Sequence, residues 1–183
     1  MVKKPSRLVL QTQRHLKWPV LDIIEAATMV LCGICLAGFS TSVFFDVLTR
    51  TIGAPWLWLQ EVTSTFFVYG VFIGAAAATR RNDHLYLSAI TEKMTGRLRL
   101  TVETFNRLVV LAVALCMVYF GYINFRQGFG SFRMPSMTPI ASLYAAIPIA
   151  GVLISLFTVE QLVNGWRNGF ESADEAREEV HIL

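Results

Sequence analysis

Four long apolar runs, each closed off by charged or aromatic residues, set the pattern of this chain. The clearest runs from Val62 to Thr79 with no charged side chain. Its roughly 18 residues would make about 27 Å of helix, close to the ~30 Å hydrocarbon core of a bilayer. The pattern predicts a membrane-spanning helix over about 58–79. Trp56 and Trp58 stand at one end, where aromatics favour the membrane–water boundary, and Arg80 and Arg81 at the other, where basic residues favour the cytoplasmic side. Gly70, Gly74 and Ala78 recur every four residues and fall on one stripe, so another helix is expected to approach backbone to backbone there. Glu61, just inside the tryptophan pair, would be costly against lipid and is expected to face protein, water or a cation.

The other runs predict spans over about 20–48, 101–122 and 140–162, giving an all-α fold of four transmembrane helices. Pro19 suits the first turn of span one, and Asp22 and Glu25 fall where carboxylates meet the positive end of a helix dipole, which charge compensation explains more simply than a proton relay. Asp46 with Arg50, and Glu103 with Arg107, are spaced to pair across one helical turn. Gly53, Ala54 and Pro55 break the chain before span two. Between spans two and three, Ile90, Met94 and Leu98 share a face at four-residue spacing, predicting an amphipathic helix over about 85–99 on the inner membrane surface. Residues 123–139 form the longest outer loop, aromatic and glycine-rich with Arg126 and Arg133, suited either to contact with another protein or to rest on the membrane. In span four, Pro148, Gly151 and Ser155 soften the helix or let a neighbour pack closely. Trp166 anchors its far boundary.

Domain organisation follows: a basic arm over 1–19, a membrane domain over 20–166 and an acidic tail over 167–183. Basic residues number five in the arm and five from Arg80 to Arg99, against one in the first outer loop and two in the second. Both termini are therefore expected on the cytoplasmic side. Composition agrees with a multi-pass membrane protein, since 54% of the 183 residues are hydrophobic, only 16% are charged, and the mean hydropathy is +0.51. The net charge of +3 comes in two clusters that orient helices, with no basic face interleaved with aromatics, so nucleic-acid binding is not indicated. No secretory signal is convincing, because the polar arm is followed by an apolar run too long for one.

Little chemistry accompanies this frame. Cys32 and Cys35 have a C-x-x-C spacing, but both lie in an apolar helical run without a second pair and read, like Cys116, as small buried residues. His15, His84 and His181 all lie outside the spans, which argues against a haem-holding anchor. No nucleophile triad, phosphate-cradling loop or metal pattern appears, so no catalytic, substrate-binding or metal-ligating residue is assigned. Charges are expected only at span ends, and no inverted repeat of the kind that builds transport sites is apparent.

The segment Pro55-x-x-Trp58-x-x-Glu61, then Gly74-Ala75-Ala76 and Arg80-Arg81-x-x-His84, resembles the small membrane subunit of tripartite ATP-independent periplasmic (TRAP) transporters, the DctQ-like family. Pro139, Tyr144, Pro148 and Gly151 resemble its entry into the fourth helix. Leu59 and Gln60 stand where the family often carries a further acid, so Glu61 is a single carboxylate. The resemblance implies a non-catalytic scaffold in the bacterial inner membrane, set beside a large multi-span permease that holds the substrate and sodium sites and is served by a periplasmic solute-binding protein. No cofactor is implied in this chain. Trp58, Glu61, Gly70, Gly74, Ala78, Pro148 and Gly151 become candidates for the subunit interface, with Glu61 meeting the large subunit or capping its own helix. Trp56, Arg80, Arg81 and Trp166 become boundary anchors, the arginines through lipid phosphate. The competing class is a stand-alone four-helix proton-coupled transporter working as a homodimer, with Glu61 as coupling carboxylate; an electron-transfer anchor would need haem.

Overall fold

The computed structural model of the chain describes residues 18–81 and 97–168. Helix α1 (Pro19–Thr51), α2 (Leu59–Arg81), α3 (Arg97–Gln127), the short α4 (Ala141–Tyr144) and α5 (Ala146–Asn168) account for most of them. Among the described residues, four stretches are long and apolar enough to cross a membrane: Val20–Thr51, Leu59–Arg80, Leu100–Gly130 and Ala141–Arg167. The expected all-α, four-span fold is thus the observed one. The basic arm, the amphipathic helix up to residue 96, His84 and the acidic tail beyond 168 lie outside the described residues, as does the side chain of Arg81.

Local chemistry fixes the helix ends. Pro19 opens α1 at a position that needs no N–H. Past its other end, Gly53 takes a left-handed φ of 80° and donates its N–H to the Arg50 carbonyl, which closes the helix. The third span was expected to end at Tyr122, but α3 continues to Gln127, because the polar residues Asn124, Arg126 and Gln127 propagate a helix as well as apolar ones do. It stops at Gly128, whose added Cβ would lie 2.7 Å from the Ala141 backbone. The outer loop is correspondingly shorter. It holds a 3-10 turn (Gly128–Gly130) and a hairpin of β1 (Phe132–Arg133) with β2 (Thr138–Pro139), antiparallel with Arg133 opposite Thr138. Between α4 and α5, the fourth span breaks three residues ahead of Pro148, a residue that has no N–H to return to the preceding turn.

The helices pack in the order α1, α2, α5, α3. On α1 one line of buried and half-buried positions runs through Leu21, Glu25, Thr28, Cys32, Cys35, Phe39, Ser42, Asp46 and Thr49, spaced alternately four and three apart. Such a 3.5-residue period keeps one seam against an antiparallel neighbour along its whole length. The seam is small and polar rather than apolar, as expected where lipid removes any hydrophobic gain from burying leucine. Its partner is α2: Gly70 lies against the Cβ of Cys35 and Gly74 against Cys32 Sγ, while Gly38 of α1 is covered by the Phe66 ring. The stripe expected to receive another subunit is therefore filled by α1 at Gly70 and Gly74, and Ala78 on the same stripe is half-buried. Gly151 and Pro148 are likewise engaged internally, Gly151 against Ala114 and Val118 and Pro148 against Gly121, all on α3. Cys35 is buried as expected; Cys116 is exposed on α3.

The two antiparallel pairs are built alike. In each, an outer-helix glycine (Gly38, Gly121) admits a ring from the inner helix (Phe66, Pro148). The inner helices α2 and α5 run parallel, since Tyr69 meets Ser142 and Arg80 meets Glu160. They also share a run, Gly70-Val71-Phe72-Ile73-Gly74 in one and Gly151-Val152-Leu153-Ile154-Ser155 in the other. The alignment that sets Gly70 on Gly151 also sets Thr79 on Glu160 and Arg80 on Gln161. Arg80 donates to the Glu160 carboxylate and Gln161 donates to the Thr79 carbonyl, so two bonds cross between the inner helices at this register.

Candidate functional site

Two polar clusters sit at opposite ends of this frame. At the end of α2, Arg80 is only 1% exposed, and its guanidinium spends all five N–H donors on protein. Nε donates to Glu160 Oε2 at 2.9 Å and Nη2 to Glu160 Oε1 at 3.1 Å, a bidentate fork on α5. Nη1 donates to Glu25 Oε2 at 2.6 Å and to the Leu21 carbonyl at 2.9 Å, and Nη2 to Asp22 Oδ1 at 2.7 Å, all on α1. The Phe157 ring lies 5.6 Å from the guanidinium carbon. Glu25 and Glu160 are buried with it, while the Asp22 side chain stays 49% exposed. Beside them Gln161 donates to the carbonyls of Thr79 at 2.6 Å and Arg80 at 3.2 Å, satisfying groups that the end of α2 leaves without helical partners.

This cluster corrects two expectations. Arg80 does not reach lipid phosphate, because its donors are consumed by α1 and α5. Asp22 and Glu25 do not merely compensate the α1 dipole; both bind Arg80. Glu160 lies near the end of the fourth span, as expected of a charge, but is buried against Arg80. Glu160 and Gln161 are the residues that sequence reasoning missed. The available signal was a lone acid in an apolar run, at the same end of the bundle as the arginine pair.

At the other end Glu61 is 8% exposed and sits in the first turn of α2. It faces protein, as its cost in lipid predicts, but its partner is the loop after α3 rather than its own helix start. Its Oε1 accepts the Ser136 N–H at 3.2 Å, and its Oε2 accepts the Ser136 hydroxyl, which is itself 2.8 Å from Thr138 Oγ1. Arg133 donates to Thr65 Oγ1 at 2.9 Å and to the Glu61 carbonyl at 3.1 Å. One turn further, the Tyr69 hydroxyl donates to the Ser142 carbonyl at 2.7 Å. The β1–β2 hairpin is thereby pinned to two successive turns of α2, and α4 to the next. Trp56 and Trp58 stack at 5.9 Å and remain half-exposed beside it. Trp166, exposed at the opposite end, donates its indole N–H to Thr104 Oγ1 at 3.0 Å. The expected helical pairs Asp46–Arg50 and Glu103–Arg107 both form.

Comparison with known proteins gives this geometry a context. The family model described as "Tripartite ATP-independent periplasmic transporters, DctQ component" matches residues 39–168. The sialic acid TRAP transporter permease protein SiaT of Haemophilus influenzae (strain 86-028NP) is 26% identical over 123 residues, 65% of this chain but only 20% of that relative, so the chain spans one fifth of its length. A protein named as a TRAP transporter small permease in another Haemophilus influenzae strain (ATCC 51907) is 24% identical over 142 residues, covering 77% of this chain and 88% of the relative. The sialic acid TRAP transporter small permease protein SiaQ of Vibrio cholerae is 24% identical over 125 residues, covering 64% and 72%.

Proposed function

Because the chain belongs to the DctQ component family of the tripartite ATP-independent periplasmic transporters, a multi-pass transporter subunit and not an enzyme, we propose that it is the fixed, non-catalytic scaffold beside a large permease. In this reading it lies in the bacterial inner membrane with both termini cytoplasmic. The large subunit carries out sodium-coupled uptake of a small organic acid, which a periplasmic binding protein delivers. The observation that carries the reading is the use of Arg80: a guanidinium at the end of a span could serve cargo or lipid, yet all five of its donors tie α2 to α1 and α5. Glu61, which a proton-coupled transporter would need free to titrate, is likewise engaged by Ser136. Both clusters therefore support rigidity rather than passage.

The test is reconstitution into vesicles of the large permease alone, this chain alone, and the pair, each with the binding protein and an inward sodium gradient. Labelled sialic acid is the first probe, because relatives carry that name. Uptake by the pair and not by this chain alone is the expected result. Solute movement by this chain without its partner would overturn the scaffold reading in favour of the homodimeric transporter.

A further inference from the structure

We propose that Arg126, in the last turn of α3, holds the phosphate of a membrane phospholipid, with the Tyr122 hydroxyl and the Gln127 amide beside it in one cleft. The inference needs only the membrane assignment and does not depend on the scaffold reading. It begins from where charge stops along two helices. Residues 62–79 of α2, between Glu61 and Arg80, and residues 108–125 of α3, between Arg107 and Arg126, carry no charged side chain. Each run makes about 27 Å of helix, close to the ~30 Å hydrocarbon core of a bilayer. The fold sets the two runs at one depth. Trp166 meets Thr104 and Gly151 meets Ala114, so the antiparallel pairing of α3 with α5 brings Arg107 near the level of Glu160, and hence of Arg80. From that level α3 crosses the same uncharged length before Arg126 that α2 covers before Glu61. Arg126 therefore stands at the rim of the hydrocarbon, in the layer where lipid phosphates lie.

What singles out Arg126 is that its own chain leaves it free. At this end of the bundle Asp46 pairs with Arg50, Glu61 binds Ser136, and Arg133 donates to Thr65 and to the Glu61 carbonyl. Among the described residues, Arg126 is the charged side chain at this end with no hydrogen bond or ion pair, and it is exposed. An open cleft of about 320 Å³ is lined by Tyr122, Ile123, Arg126 and Gln127. Helical spacing explains the set, since Tyr122 with Arg126 and Ile123 with Gln127 are each four apart and form two adjacent rows on one face. Three of the four bring donors, and Ile123 brings an apolar wall. A phosphodiester matches them: its two unesterified oxygens suit the guanidinium fork, and the phenol and carboxamide supply neutral donors alongside. Tyrosine also belongs at this boundary, with its ring toward the acyl chains and its hydroxyl toward the headgroups. Helix α3 closes the row of four and is flanked on one side by α5, so Tyr119, Phe120 and Tyr122 are exposed on it. Phosphate surrounds any such uncovered helix at this depth. A cation in the last turn also answers the negative end of the α3 dipole, a role that asks for charge and for no ligand, and the measurement separates the two.

The experiment titrates the full chain, purified in detergent, with phosphatidylglycerol and counts the retained lipid by native mass spectrometry. Arg126→Gln should retain about five-fold less lipid than the unaltered chain, as expected for the loss of one charge-assisted contact in a partly hydrated site. Arg126→Lys keeps the charge and loses the fork, so it should fall between. Equal retention by the unaltered chain and Arg126→Gln, both folded by circular dichroism, would overturn the site and leave only the dipole role. Inorganic phosphate in excess should not displace the lipid; displacement would mark a site for a free anion and overturn the lipid as its source. The last arm is copurification with the large permease, which Arg126→Gln should leave unchanged. Loss of the permease with lipid retention intact would assign the arginine to a protein contact and overturn the proposal, while the scaffold reading would stand.

Discussion

The two ends of the molecule solve the same problem with different chemistry. At the Arg80 end a full charge is buried between three helices, and the protein meets its cost by matching five donors to two buried carboxylates, one half-exposed carboxylate and a carbonyl. At the Glu61 end a single carboxylate is held by one serine, its N–H and its hydroxyl, from a loop. The first arrangement joins transmembrane helices whose other contacts are small or apolar, among them Leu21, Ala76, Ile154 and Phe157. The second only fastens a hairpin to a helix already in place. A buried cation with its carboxylates is thus used where whole helices are locked, and one carboxylate bound by a serine, with Arg133 donating beside it, where a surface element is fastened.

The comparison implies a steep ranking of consequences, and Arg80 stands at the top. Arg80→Met leaves Glu25 and Glu160 buried without their shared cation, a loss of about 3–5 kcal/mol by the usual cost of breaking a buried pair from one side. Removing Glu160 as well, in the double variant Arg80→Met with Glu160→Met, should recover part of it, because one uncompensated charge goes and an apolar side chain fills the space. Arg80→Lys should fall between, keeping the charge but offering three donors where five are used. Unfolding of the purified chain in mixed detergent and SDS measures all three. A double variant no more stable than Arg80→Met would mean that charge balance is not what the cluster supplies.

How much of this could be read from the chain depends on sequence separation. Spans, break points and the Asp46–Arg50 and Glu103–Arg107 pairs were legible, because a helix repeats every 3.6 residues and the partners lie one turn apart. The identity of the Arg80 partners was not, since Glu160 is 80 residues away and only the parallel packing of α2 on α5 brings them together. The small-residue stripe on α2 was correctly seen as a close-packing face, yet nothing in Gly70 or Gly74 says whether the approaching helix belongs to the same chain. Glu61 posed the same difficulty: its cost in lipid announced a partner, and only the hairpin register identified it as Ser136.

Packing between the two ends sets the middle of the scale. A methyl group added at Gly38 would lie 2.7 Å from the Phe66 ring, so Gly38→Ala must displace an aromatic held between α1 and α2 and should cost about 1–3 kcal/mol. Gly33, five residues earlier on the same helix, has no atom within 4 Å of an added Cβ, and Gly33→Ala should be neutral or slightly stabilising through helix propensity. Equal losses at both positions in the same unfolding assay would mean that the seam is looser than its geometry indicates.

The smallest loss belongs to Ser136, and it sharpens the comparison because it should separate stability from presentation. Ser136→Ala removes the hydroxyl that binds Glu61 and Thr138 but keeps the backbone N–H to Glu61 and both bonds from Arg133. The helices lose nothing, so global unfolding should shift less than for Gly38→Ala. The hairpin loses one of its ties to α2, and amide hydrogen exchange over residues 131–140 should quicken several-fold while exchange in α2 beyond Tyr69 stays unchanged. Exchange that quickens along the whole of α2 would mean that the Glu61 cluster holds a transmembrane helix in place, and the division of labour between the two ends would fail.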